Sequence, residues 1–122
     1  KFNYYWSKLI EYPLNPKGKQ TRNVWSIPLT PKNEKLAGKH PTQKPVELLR
    51  RIILSCTDEG DTVLDPFVGS GTTSEVAKQH NRNSIGIEID KKYLEIIKKR
   101  LKKEQKTLTN EESEVIFEKF KN

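Results

Sequence analysis

Two carboxylates and a pair of glycines carry most of the chemistry legible in this chain. Asp65-Pro66-Phe67-Val68-Gly69-Ser70-Gly71-Thr72-Thr73 follows the apolar run Thr62-Val63-Leu64 and precedes a helical pattern. A strand, a glycine turn and a helix start, in that order, aim backbone N–H groups at an anion. Gly69 and Gly71 let the backbone approach a ligand closely, because no Cβ intervenes. Asp65 falls at the C-terminal end of its strand, where open α/β sheets bind ligands. Glu88 sits within a second apolar run, Ser84-Ile85-Gly86-Ile87-Glu88-Ile89. The two acids are therefore expected at neighbouring strand ends on one sheet edge.

Three kinds of cofactor use such a turn. A nucleoside-triphosphate loop needs Gly-Lys-Ser/Thr, but Gly71 is followed by Thr72-Thr73. A dinucleotide fingerprint needs a third glycine where Ser74 stands. A pyrophosphate also gains nothing from a neighbouring carboxylate, whereas an ammonium does. S-adenosylmethionine matches the residues better. Asp65 can attract its amino group, and Ser70, Thr72 and the loop amides can hold its carboxylate by charge-assisted hydrogen bonds. Glu88 can accept both ribose hydroxyls, at close to the spacing expected of a ribose acid. Phe67 can pack on the adenosine. The competing reading of Asp65 and Glu88 is helix capping or surface ion pairing.

The elements that position these groups follow from periodicity. Pro45 opens a helix, proline being favoured at the first helical position. Val46, Leu49, Ile52, Ile53 and Cys56 then recur at helical spacing and predict one buried face, with Cys56 as a structural thiol. Arg50 and Arg51 fall toward the cation-favouring C-terminal end, and Gly60 ends the helix or its turn. The first strand spans Thr62 to Asp65. The glycine loop leads into a helix through about His80, with Val76 and Ala77 inward. Asn81-Arg82-Asn83 reads as a turn, and the second strand runs from Ser84 to Ile89. Asp90 can cap the next helix. Its apolar stripe is Leu94, Ile97, Leu101 and Leu108, with Tyr93 and Ile96 alongside. Its other face carries Lys91, Lys92, Lys98, Lys99, Lys102, Lys103 and Lys106, either a solvated helix face or a surface for a polyanion. A short helix is expected around Val115, Ile116, Phe117 and Phe120.

The fold class is α/β: a Rossmann-like parallel sheet of which two strands cannot be the whole. The 122 residues suffice for one domain, and hydrophobic residues make up only 33%. The chain starts at Lys1 and holds no Met, which reads as a fragment. No apolar run nears the ~18 residues of a membrane span, and a lone Cys56 excludes an internal disulfide and points to a reducing cytoplasm. No Cys/His cluster offers a metal site. A net charge of +7 favours a polyanionic partner. Residues 1–44 differ from the rest. Phe2, Tyr4, Tyr5, Trp6 and Tyr12 precede prolines 13, 16, 28, 31 and 41, around the turn Lys17-Gly18-Lys19-Gln20. That proline density excludes a helix, and Asn23-Val24-Trp25-Ser26-Ile27 is the best extended segment. The aromatics either stack bases or pin an irregular segment to a core.

The loop from Asp65 to Thr73 resembles the cofactor motif of bacterial DNA amino-methyltransferases. His40-Pro41-Thr42-Gln43-Lys44-Pro45 resembles the segment that precedes it in their β-type order. Ile85-Gly86-Ile87-Glu88 with Tyr93 resembles the next motif, and Val24-Trp25 and Gly38-Lys39 also fit. The resemblance covers roughly residues 23–103. It implies a Rossmann-like enzyme that moves a methyl group from S-adenosylmethionine to adenine N6 or cytosine N4 in double-stranded DNA, with the target base flipped out. Adenine N6, in a restriction-modification setting, is the expected target. Carried over position by position, Asp65, Phe67, Gly69, Ser70, Gly71 and Thr72 match the cofactor loop and Glu88 the ribose acid. His40 and Thr42 match positions near the methionyl carboxylate, and Lys44 adds a cation.

The family's catalytic tetrapeptide, Asp/Asn/Ser-Pro-Pro-aromatic, does not occur in these residues. In the β-type order it precedes the recognition region. The expected organisation is thus the end of that region in 1–44, a cofactor-binding half in 45–108 and a tail in 109–122. The catalytic half would be a partner from the same protein, and this segment alone is expected to be inactive. Two rivals stand beside this reading: a non-enzymatic basic nucleic-acid-binding module, and an NAD-binding domain.

Overall fold

Val63 faces inward from a four-residue strand, and the helices on either side of it in sequence close over it. The computed structural model describes residues 24–104 and a two-residue strand at 115–116. The aromatic cluster Phe2–Tyr12, the Lys17–Gln20 turn, Lys106, Leu108, Phe117 and Phe120 lie outside the described residues. So do the side chains of Lys103, Val115 and Ile116.

Residues 24–31 form no regular element, and a 3₁₀ turn follows at Lys32–Lys35. Helix α1 is Val46–Cys56. Pro45 stands one residue ahead of it with an extended backbone (φ −63°, ψ 142°), not inside its first turn. Glu34 explains the shift, because its Oε2 accepts the Val46 N–H at 3.0 Å and satisfies one of the helix's orphan donors. Gln43 ties the same strap down by donating to the Glu34 carbonyl at 2.7 Å.

Strand β1 is Thr62–Asp65, helix α2 Thr72–Gln79 and strand β2 Asn83–Gly86. The strands pair in parallel from Thr62↔Asn83 to Asp65↔Gly86. Helix α3 spans Lys91–Glu104, and strand β3, Val115–Ile116, pairs in parallel with Ser84 and Ile85. The sheet order is β1-β2-β3, a partial Rossmann-like α/β fold. β2 is shorter than the sequence predicts, ending at Gly86 instead of Ile89. The next donor toward β2 would be the Phe67 N–H, which turns back to the Asp65 carboxylate; Ile87 donates to the Asp65 carbonyl and accepts from the Val68 N–H instead. Val115 and Ile116 are strand where a helix was expected. Both are β-branched, which suits a strand beside the open edge of β2.

Two apolar clusters hold these elements. Ile53, Val76 and Ala77 are buried, with Val46, Leu49 and Val63 packed on them. Val68, Ile97 and Leu101 form the second, with Leu94 alongside. The helix faces of α2 and α3 thus follow the predicted stripes, and Lys91, Lys92, Lys98, Lys99 and Lys102 are exposed.

The face predicted for α1 needs correction. Leu54 is buried with Ile53, whereas Ile52 and Cys56 are exposed. Cys56 is the last residue of α1 and is exposed, not a buried thiol. Arg50 and Arg51 both pair with Glu47, one turn back, rather than with the helix's last carbonyls. Arg82 takes that place. It is 3% exposed and donates to the Thr57 carbonyl and hydroxyl beyond α1 and to the His80 carbonyl beyond α2.

Candidate cofactor site

The turn after β1 is built around its own acid. Asp65 Oδ1 accepts the Phe67 N–H at 3.0 Å, and Oδ2 accepts the Thr73 hydroxyl at 2.5 Å. The carboxylate therefore fixes the entry to the turn and the first turn of α2 at once. Gly69 and Gly71 adopt positive φ of 53° and 80°, a conformation that L side chains rarely tolerate. A Cβ on Gly69 would stand 3.1 Å from His40 Nε2, and one on Gly71 3.1 Å from Ile97 Cγ1. The first N–H groups of α2 lack intrahelical acceptors and carry the positive end of the helix dipole.

A cavity of about 270 Å³ opens at this turn. His40, Thr42, Lys44, Asp65, Phe67, Gly69, Ser70 and Thr72 line it, so the structure brings eight of the ten sequence-selected residues together. Gly71 is buried beneath the loop and shapes it without lining the cavity. Glu88 lies two residues beyond β2, does not line the cavity, and accepts the Asp90 N–H at 2.9 Å. Asp90 in turn caps α3 as its sequence position predicts, accepting the Lys92 N–H at 2.8 Å.

Sequence reasoning missed several residues here. Gln43, Leu49, Val68 and Thr73 also line the cavity. The buried Oε1 of Gln43 finds no hydrogen-bond partner among the described residues. Gln43 stood inside the quoted hexapeptide, between two residues that were selected. Arg100 acts from α3, as does Tyr93, which the motif after the glycine loop already includes. Tyr93 packs on the His40 ring, and Arg100 reaches under the loop to Ser70 and Thr72. Nothing in the lysine-rich run around Arg100 separates it from its exposed neighbours except its place on the Ile97–Leu101 stripe.

The donor and acceptor set is that of an amino-acid-like end group. Asp65 and the orphaned Gln43 Oε1 can accept from an ammonium. Ser70, Lys44 and the α2 amides can donate to a carboxylate. His40 Nδ1 accepts the Thr42 N–H at 3.3 Å. The Phe67 ring, 89% exposed, is a flat apolar surface at the mouth. The Gly69 cradle keeps room that a side chain would fill.

A parallel βαβ unit with an acid and a glycine turn at its strand end defines a nucleoside-cofactor-binding half-domain. The model of the DNA methylase family matches residues 1–99, and the chain belongs to that family. It is 55% identical over 107 residues to the type II methyltransferase M2.DpnII of Streptococcus pneumoniae, a match covering 88% of this chain and 40% of that protein. It is 62% identical over 86 residues to M2.LlaDCHI of Lactococcus lactis subsp. cremoris, covering 70% and 32%. It is 45% identical over 98 residues to the DNA adenine methyltransferase YhdJ of Escherichia coli K12, covering 76% and 33%. The crystal structure of the M1.HpyAVI–SAM complex is 50% identical, covers 52% of this chain and 33% of its own, and gives a TM-score of 0.49. The chain spans about a third to two fifths of the length of these curated relatives.

Proposed function

We propose that the cavity at the glycine turn holds the methionyl end of S-adenosylmethionine, and that the protein methylates adenine N6 in DNA. The observation that carries this reading is the convergence of His40, Lys44, Asp65 and Ser70 on one cavity, with acceptors for an ammonium and donors for a carboxylate. When bound, the cofactor supplies an electrophilic methyl group on a sulfonium. The residues of this chain bind and orient it: Asp65 and Gln43 toward the amino group, Ser70, Lys44 and the α2 amides toward the carboxylate, with Thr72 lining the cavity beside them and Phe67 against the adenosine.

Glu88 is assigned to the ribose hydroxyls. Its acceptance of the Asp90 N–H uses one carboxylate oxygen, and the second remains available for two hydroxyl donors. Residues 45–108 act as the cofactor half and 1–44 as the end of the target-recognition region. Exposed Lys91, Lys92, Lys98, Lys99 and Lys102 add to a positive field that attracts the phosphate backbone of double-stranded DNA. The curated relatives are named as type II methyltransferases, and one as an adenine methyltransferase, which favours adenine N6 over cytosine N4 and a restriction-modification role over a non-enzymatic module. Among the described residues no helix is long and apolar enough to cross a membrane; a cytoplasmic location, beside DNA, fits this reading.

The test is Glu88→Ala in the full-length protein, with S-adenosylmethionine affinity measured by calorimetry. Loss of each hydrogen bond to a charged acceptor is worth about 1.5–3 kcal/mol. An unchanged dissociation constant removes Glu88 from the site. Absence of any S-adenosylmethionine binding by the unaltered protein, with salt-sensitive DNA binding retained, selects the non-enzymatic reading.

A further inference from the structure

Arg100 is a cation in the wrong place for a surface helix. It is 5% exposed, on the same α3 stripe as Ile97 and Leu101. Its Nε pairs with the Glu75 carboxylate of α2. Its Nη1 lies 3.3 Å from both the carbonyl and the hydroxyl of Ser70, and 3.2 Å from the Thr72 hydroxyl. Its buried Nη2 finds no hydrogen-bond partner among the described residues. A buried ion pair is a poor device for stability alone, since an apolar side chain of similar volume often serves as well. What a guanidinium adds here is its contact with the loop.

The proton inventory of the two hydroxyls gives that contact a direction. A hydroxyl has one proton and two acceptor positions. Thr72 donates its proton to the Lys44 carbonyl at 3.3 Å while accepting from Arg100. Ser70 Oγ also accepts from Arg100, and its own proton is left either for Thr72 Oγ1, 3.4 Å away, or for a group entering the cavity. Both residues line that cavity. A hydroxyl polarised by a cation on its lone pair is a stronger donor than a free one. The loop therefore presents, beneath Gly69, a hydroxyl already set to donate.

We propose that Arg100 is a positioning residue for the anionic end of the ligand, holding Ser70 and Thr72 from below so that the Ser70 proton is delivered to a carboxylate in the cavity. The proposal rests on the S-adenosylmethionine reading above and adds to it a residue outside the cavity and a selectivity for the carboxylate. It also explains why a side chain from α3, far along the chain from the loop, has to be charged and forked. The fork lets Nε hold Glu75 while Nη1 reaches both hydroxyls, and the single ammonium of a lysine cannot reproduce that planar bridge.

The experiment compares two ligands in the full-length protein: S-adenosylmethionine, and its decarboxylated form, which keeps the amine, sulfonium and adenosine. Arg100→Lys and Arg100→Gln should weaken S-adenosylmethionine about tenfold or more, the scale of a lost charge-assisted hydrogen bond. The decarboxylated ligand should change by less than about threefold. Equal weakening of both ligands in folded protein, or no change in either, overturns the proposal. Should neither Arg100 variant fold, Ser70→Ala carries the test, and equal loss on both ligands again overturns it. Failure of the unaltered protein to bind either ligand is a different result: it removes the cofactor reading itself, and the role of Arg100 with it.

Discussion

The imidazole of His40 packs on the phenol ring of Tyr93 with centroids 4.2 Å apart and planes at 52°. His40 belongs to the strap before α1 and Tyr93 to the first turn of α3. One ring contact thus fixes the strap over Gly69, where His40 Nε2 stands 3.1 Å from the position a Cβ would occupy.

Tyr93→Ala should release that imidazole. A tilted aromatic pair is worth about 0.5–1.5 kcal/mol beyond its buried area. S-adenosylmethionine affinity should fall roughly two- to tenfold on that scale, and Tyr93→Phe should retain it. Calorimetric titration of the three proteins checks this, and an unaltered affinity in the alanine variant rules out a role for the ring contact.

The two loop glycines should fail in different ways. Gly71→Ala places a methyl group against Ile97, which is fully buried, in a left-handed backbone. Denaturant unfolding should show a loss of about 1–3 kcal/mol, combining overpacking and backbone strain. Gly69→Ala meets the His40 ring at the cavity wall instead. Its larger effect should be on ligand affinity, with the smaller effect on stability.

Arg82 should matter to stability and not to the cavity. Its guanidinium satisfies carbonyls just beyond the C-termini of two helices, Thr57 at 2.9 Å and His80. Arg82→Ala removes a charged donor from these part-buried acceptors, at a cost of about 1–3 kcal/mol. Arg82→Lys should recover little, because one ammonium cannot span both sites. Chemical denaturation reads the loss. The folded fraction should bind ligand normally.

Stability should decline below neutral pH through His80. Burial, then the positive charges of Arg50 and Arg82, hold its imidazole below the ordinary value of 6.5, with Glu59 opposing. The unfolded chain therefore takes up the proton first. The contribution of His80 is intact above about 6.5 and is lost as pH falls through its lower folded value. His80→Gln should flatten the unfolding midpoint between pH 7 and 5. Glu47 acts in a separate, more acidic window. Burial raises its pKa, but Arg51 and Arg50 together bring it below 4.5; its stabilising contribution is lost as pH falls below that.

The elements near the glycine turn were legible because their signals are local. An apolar tetrapeptide ending in Asp65, two glycines and a 3.6-residue stripe on α3 each fix one element with no knowledge of the others. Cys56, Ile52 and Arg100 were misread or overlooked for the opposite reason. Whether a residue at the end of a helix is covered depends on a partner distant in the sequence, and Cys56 is left exposed. Arg100 looks like one more cation in a basic helix until Ser70 is placed beside it. Glu34 is a similar case: its capping of Val46 joins residues twelve apart that no periodicity connects.

Leu64 is 62% exposed on β1, and Ile85 and Ile87 are 40% and 39% exposed beside it. β1 is also the outer strand of the sheet among the described residues. An oily surface next to a ribbon of unsatisfied amides invites indiscriminate self-association. Purified alone, the 122-residue segment should therefore bind hydrophobic dyes and enter large soluble aggregates at modest concentration. A Leu64→Lys change should improve its behaviour in the test tube.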